Sequence, residues 1–233
     1  MKVIFRISSN SYKKDKIADK KRCLLNALVQ WPLEEFVILA DHVDNDTRDF
    51  LAEYADVTGL DVQYIDGGSS AQSFRIAYEY AINFSDEEII YLLEDDYLHT
   101  DYSRRILLEG IDHADYVSLV DYPDKYVPAS KGGNPFIGDD GAEDCRVILT
   151  TSSHWRTANS TTCTFAARVK TLKKDFLTWK NYCFFTEQQT HPHDFNCWID
   201  LRNQGKTLIT PIPSLATHCD IGTLAPLVDW SKI

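Results

Sequence analysis

No stretch of the 233-residue chain approaches the roughly 18 consecutive apolar residues that a membrane-spanning helix needs, so no such helix is expected. The opening MKVIFRISSNSYKK has only a few apolar residues in a row, interrupted by Arg6. That is not the profile of a secretory leader, and the chain reads as cytoplasmic. No CxxC pair occurs. Six cysteines, Cys23, Cys145, Cys163, Cys183, Cys197 and Cys219, are scattered along the chain. Without metal-ligand or scaffold spacing they read as free thiols of a reducing compartment. Positive charge is in deficit, with 24 Lys and Arg against 35 Asp and Glu and a net charge of −11. This argues against nucleic acid or an anionic membrane as the main partner. A nucleotide is still compatible, because a metal ion and one or two arginines neutralise a diphosphate locally. Internal repeats, low-complexity segments and linkers are absent, so the chain reads as a single domain.

What the sequence has in quantity is aromatic residues, 12 Tyr, 11 Phe and 5 Trp, enough for a densely packed core. Its most informative stretch is EEIIYLLEDDYLHT. Residues 89–94 are apolar or aromatic up to Glu94, and the run then breaks into the triplet Glu94, Asp95, Asp96. A continuous apolar run bounded by charge reads as a strand buried on both faces. In open α/β sheets ligands bind beyond the carboxyl ends of such strands. Adjacent buried carboxylates repel unless a cation compensates. A hard divalent ion, Mn2+ or Mg2+, takes oxygen ligands and retains substrate phosphates in its shell. The triplet therefore points to a metal–diphosphate site. The competing reading is a set of acids that merely favours the start of a helix at 101–112.

Around this strand the pattern alternates. Strands are expected at 2–8, 36–40, 62–66 and 89–94, with helices at 16–30, 47–57 and 71–84 between them. Ser in GGSSAQ is a possible cap for the third helix. Such alternation predicts a parallel sheet covered by helices on both faces. The second half is less regular. It reads as a strand within 114–126, a loop at 128–141, and two antiparallel strands at 146–155 and 161–169 joined by RTANS. A helix at 170–180, a polar loop at 181–193, a helix at 194–205 and a strand at 207–213 follow.

This layout resembles the GT-A glycosyltransferase fold, and more closely its family 2-like inverting members. The Ser-rich exit of the first strand and FVILADHVDND match where that family binds the nucleoside. YLLEDDYLHT matches its DXD-type strand, STTCTFAARV the segment after the acceptor strand, and HDFNCWIDLRNQGKTLITPIPSLATH the closing pattern with its terminal histidine. The motifs occur in the family's order and cover roughly residues 2–220. Two departures stand out: His193-Asp194 replaces the usual Glu-Asp, and the triplet is Glu-Asp-Asp rather than Asp-X-Asp. The HWRTANSTTCTF and DYPDKY segments look like those of a small bacterial or viral subgroup. The resemblance implies a Rossmann-like, mixed, mainly parallel central sheet flanked by helices, with a small antiparallel extension in the second half. It also implies a nucleotide-binding half at 1–100, an acceptor-binding half at 101–220 and a tail at 221–233.

The implied activity is metal-dependent transfer of a sugar from a nucleotide-sugar donor, with UDP the family's commonest nucleotide, to a glycan or other hydroxyl acceptor, with inversion. Asp96 and His218 are the expected metal ligands, with Asp95 ligating directly or through water or the sugar. Asp194 is the expected general base, with Glu187 in reserve. Asp41, Ser8, Ser9, Arg75 and Arg6 are the other donor-side residues, although Arg6, inside an apolar strand, is as well explained by a pairing with a sheet acid. His154 and Trp155, with Tyr122 and Trp198, are candidates to stack on the acceptor. Two other functions compete. A sugar-phosphate nucleotidyltransferase would carry a Gly-rich basic loop after the first strand, where this chain has SSNSYKK. A non-catalytic sugar-nucleotide or glycan-binding module would not need Asp194, the triplet and His218 together. A zinc site at His191-Pro192-His193 has no further cluster to complete it.

Overall fold

The computed structural model describes residues 1–9 and 15–233; positions 10–14, inside the loop expected after the first strand, lie outside the described residues. The first half follows the alternation closely. β1 (Lys2–Ser8), β2 (Phe36–Asp41), β3 (Asp61–Ile65) and β4 (Ile89–Glu94) are linked by α1 (Lys20–Gln30), α2 (Asn45–Thr58) and α3 (Ser70–Ala81). Each helix starts at a side chain that accepts an orphan backbone N–H. Asp19 accepts from Arg22, Asp44 from Thr47 and Ser69 from Gln72. The cap at Asp19 explains why the first helix begins at Lys20 and not at 16 as expected, and it leaves Lys16 outside the helix. Gly59, at φ +74°, ends α2 in the left-handed conformation that glycine adopts without a Cβ penalty.

The second half departs further from expectation. Two short strands went unread, β5 (Tyr97–His99) and β11 (Ala216–His218), and they pair with each other in a separate antiparallel sheet. Between β5 and the next strand the expected helix is α4 (Ser103–Gly110). The strand expected within 114–126 is reduced to β6 (Tyr116–Val117). The segment 146–155 is not one strand but a hairpin of β7 (Val147–Leu149) and β8 (His154–Thr157). The expected pairing across RTANS does not form. β8 pairs with β10 (Leu208–Ile212), and β9 (Phe165–Arg168) inserts antiparallel between β4 and β6. Alternation marks a strand but not its partner, and here the partners come from distant sequence. α5 (Val169–Cys183) and α6 (Asp194–Asn203) complete the set.

The result is a nine-stranded sheet in the order β3-β2-β1-β4-β9-β6-β10-β8-β7. β9 and β8 run against the rest, so the sheet is mixed but mainly parallel, as expected. Both faces are covered. Phe5, Leu24, Trp31, Tyr91, Leu93 and Trp155 belong to one buried cluster. Ile4, Phe74, Tyr78, Leu92, Phe165 and Trp179 belong to the other. Neighbours on one strand, Ile4 and Phe5, thus point to opposite cores, as the two-residue period of a strand demands. Phe165 stacks on Trp179 at 4.7 Å between ring centroids, and Trp198 meets both rings edge-on. No described helix is long and apolar enough to cross a membrane.

Trp155 is fully buried, with its Nε1 donating to Thr150 Oγ1 at 3.1 Å. A Cβ added at Gly110 would lie 2.6 Å from this indole. Gly110→Ala gains up to about 1 kcal/mol of helix propensity but overpacks at a cost of about 1–3 kcal/mol. The expected result is a net loss of stability, read as a lower urea midpoint with an unchanged slope.

Candidate active site

The C-terminal ends of β1, β2 and β4 and the start of α3 enclose a pocket of about 530 Å³, within the range of small-ligand sites. Arg6, Ser8, Asp41, Ser70 and the whole Glu94-Asp95-Asp96 triplet line it, and Thr190 and His191 close one wall. That wall is pinned by the Ala71 N–H donating to Thr190 O at 3.0 Å.

Each acid of the triplet has its own partner. Parallel register sets Arg6 beside Glu94, and Arg6 Nη2 donates to Glu94 Oε1 at 2.7 Å. Thr164 Oγ1, from the segment just before β9, donates to the other oxygen at 3.2 Å. Asp95 Oδ2 accepts the Ser8 N–H at 2.9 Å. Burial, and then the charge of Asp96, push the Asp95 carboxyl well above the usual range. Asp96 goes the other way. Its burial alone would raise it, but the hydrogen bond and charge of His218, and then Lys16, hold it well below the ordinary carboxylate range. His218 Nε2 and Lys16 Nζ each lie 3.0 Å from the same oxygen, Asp96 Oδ2. The β5–β11 pairing creates this meeting: His218 sits opposite Tyr97, and the Cys219 N–H donates to Asp96 O at 2.8 Å. Thr223 Oγ1, 2.9 Å from His218 Nδ1, fixes the ring from behind.

Asp41, at the end of β2, is 3% exposed. Its Oδ1 accepts the N–H groups of Gly67 and Gly68 at 2.8 and 3.2 Å and lies 2.8 Å from His42 Nδ1. A hydrogen bond to Asp41, and then its charge, raise the His42 imidazole. Gly67 is required here, since a Cβ would come within 2.7 Å of Asp41 Oδ2. Asp194 is the first residue of α6 and accepts the Phe195 N–H at 2.7 Å. Burial raises its carboxyl to about 6, with the charge of Glu94 adding to the shift and Lys125 opposing it. Asp194 is not among the residues that line the pocket.

Among the described residues no group of three or more His, Cys, Asp and Glu forms a closed metal cage. The donors present nevertheless suit a divalent ion shared with a substrate. Asp96 Oδ2 and His218 Nε2 are 3.0 Å apart, and adjacent ligands on an octahedral ion with bonds of about 2.1 Å are separated by about 3.0 Å. Ions of this class usually take one or two protein ligands and leave the remaining positions to phosphate and water. The Lys16 ammonium already marks this oxygen as a place for positive charge.

The structure brings together Arg6, Ser8, Asp41, Asp95, Asp96 and His218. Ser9 turns to the rim, where its hydroxyl bonds Lys20 and the Asp44 N–H. Arg75 is not at the pocket. It pairs with Glu79 on the outer face of α3, because two helical positions beyond the pocket-lining Ser73 is about 200° of rotation. Trp155 is a core residue, not a stacking platform: its indole is buried against Gly110 of α4. His154 is exposed on β8, four strand spacings, or about 19 Å, from β4. Trp198 packs in the core, and Tyr122 hydrogen-bonds Tyr97 and Thr162. Glu187 is exposed on its loop. Sequence reasoning missed Lys16, one lysine among several in a polar stretch, and Lys125, buried and bonded to Asn159 and Ser160. Neither has a local signal, because each is defined by partners far away in sequence.

No protein-family model matches the chain, and no curated protein matches it in sequence. Solved structures do match. GalNAc-T7, crystallised with UDP, GalNAc and Mn2+, aligns at a TM-score of 0.61 and 12% identity over 93% of this chain and 42% of its own. Residues 1–349 of S. aureus TarS in complex with UDP align at 0.54 and 13% over 90% and 57%, and with UDP-GlcNAc at 0.52 and 14% over 90% and 56%. The chain thus spans about half the length of these structures. The fold is that of the GT-A glycosyltransferases.

Asp194 supplies a pH test. Its carboxyl sits at about 6 against 3.8 when unperturbed, so between those values the folded protein binds more protons than the unfolded chain. Stability therefore falls as pH rises from 3.8 to about 6 and is level above, at most about 3 kcal/mol for this one group. In Asp194→Asn that portion of the slope disappears, and the variant is expected to equal or exceed the wild type in urea unfolding at pH 7.5.

Proposed function

We propose that this chain is a metal-dependent glycosyltransferase that moves a sugar from a nucleoside diphosphate donor, with UDP the first candidate, to a hydroxyl acceptor. The observation that carries the reading is the meeting of Asp96 and His218, over 100 residues apart in sequence, at the wall of a pocket shaped by the ends of parallel strands. Among the described residues the pocket is lined by four acids, Asp41, Glu94, Asp95 and Asp96, against Arg6 and Lys16. A diphosphate adds further negative charge, so the bound state needs a divalent cation. Asp96 and His218 would hold it, with Asp95 behind them. When bound, such an ion acts as a Lewis acid on the departing diphosphate. The likeness to GalNAc-T7 and TarS supports a sugar-nucleotide donor.

The protein's own residues supply binding and proton transfer. Asp41, its Oδ1 already saturated by backbone donors, presents Oδ2 as a fixed acceptor for a nucleoside N–H or O–H. Arg6 keeps Glu94 in place and lends positive potential to the pocket floor. Asp194 is the base: a carboxyl that titrates near 6 is mostly ionised at neutral pH, yet is a stronger base than an ordinary carboxylate. The acceptor oxygen forms a bond to the sugar's anomeric carbon as the bond from that carbon to the phosphate oxygen breaks, and the hydroxyl proton passes to Asp194. A single displacement of this kind inverts the anomeric centre.

Thermal-shift titration with UDP, with and without Mn2+, tests the reading. Asp96→Ala is expected to abolish the Mn2+-dependent stabilisation. Asp194→Asn is expected to keep it while turnover, followed as UDP release, falls by about 10²–10⁴. A wild-type protein indifferent to both Mn2+ and nucleoside diphosphates would refute the assignment.

A further inference from the structure

One oxygen at the site is claimed twice. Lys16 Nζ donates to Asp96 Oδ2 at 3.0 Å, and His218 Nε2 lies 3.0 Å from that same atom. A carboxylate oxygen has about two lone-pair directions, so both are taken. This oxygen and this nitrogen are also the pair assigned above to the divalent ion. An ammonium and a metal ion cannot share the oxygen, because like charges at such spacing in a part-buried site repel strongly.

The backbone around Lys16 is not placed to move away. The Ile17 N–H donates to Cys219 O at 3.0 Å, and Lys16 and Asp220 form an isolated antiparallel bridge. The thiols of Cys23, on α1, and Cys219 are in contact at 3.6 Å. The segment bearing Lys16 and the strand bearing His218 are thus tied into one unit, and the part free to rearrange is the lysine's four-carbon stem. Lys16 also lines the pocket, at 20% side-chain exposure. Among the described residues, the other Arg or Lys lining the pocket is Arg6, which is committed to Glu94 and to Ser70 O.

We infer that Lys16 is a resident counter-ion of Asp96, which the divalent ion displaces and which then turns into the pocket to contact the donor's diphosphate. The inference rests on the metal-dependent reading of the site. Two consequences follow for this chain. Without metal, the ammonium occupies the Asp96 oxygen that the ion would take, so the free protein binds the ion less tightly than its ligands alone would allow. With both present, the ion frees Lys16 for the diphosphate and the diphosphate holds Lys16 away from Asp96, so each ligand strengthens the other. Lys16 is a positioning residue for the donor complex and takes no part in bond breaking.

The test is Mn2+ binding to the full chain, followed by the loss of the free Mn2+ EPR signal, with and without UDP. In Lys16→Met, Mn2+ alone is expected to bind about tenfold more tightly than in wild type, and the strengthening of Mn2+ binding by UDP is expected to shrink by about as much. Lys16→Arg keeps a cation and is expected to behave like wild type, which separates charge from fold; unfolding curves of both variants confirm that the fold is intact. Equal Mn2+ affinity of wild type and Lys16→Met without UDP overturns the inference alone. A wild type that takes up no Mn2+ even with UDP overturns the metal-dependent reading, and this inference with it.

Discussion

Three carboxylates in succession at the end of a strand buried on both faces repel one another, and burial sharpens the repulsion. The site is arranged around that electrostatic problem. Glu94 is answered by a neighbouring strand through Arg6, and from the far side by Thr164. Asp95 is answered by the Ser8 backbone and by a raised proton affinity. Asp96 is answered by groups from two other regions of the chain, His218 and Lys16. Removing one partner would leave a buried charge uncompensated, which costs more than the intact pairing contributes.

The architecture serves the same end. β9 enters the sheet antiparallel beside β4 and so brings Thr164 to Glu94. The small β5–β11 sheet begins immediately after the triplet and carries the histidine to it. The loop before α6 is fastened to the start of α3, which sets one wall of the pocket. Behind these edges lie two aromatic-rich cores, one on each face of the sheet. Rigid packing of this kind holds side chains at fixed separation, the condition under which a charge site is preorganised.

Asp194 and Asp95 show how one environment sorts similar groups. Both are raised chiefly by burial. Asp194 opens α6, outside the pocket lining, and its carboxyl accepts the Phe195 N–H. Asp95 lies between two other acids, where its elevated proton affinity relieves crowding. Asp96, next to Asp95 in the chain, shifts the other way, its carboxyl held low by His218 and Lys16.

Residues 2–94 were legible as strand–helix alternation because hydrophobic period and helix caps are local properties, and the acid triplet was legible because it ends a buried strand. Asp194 and His218 are picked out of the sequence only through the ordered resemblance of motifs, since neither has a local mark of its own, and the structure sets His218 against Asp96. What the sequence could not decide is what depends on partners: that 146–155 folds as a hairpin, that β9 pairs with β4 and β6, that Trp155 faces a helix, that Arg75 points outward, and that Lys16 reaches Asp96. Period and propensity fix which residues form an element and which side is apolar. Which distant element covers that side, and hence which charges share one pocket, is settled by long-range packing alone.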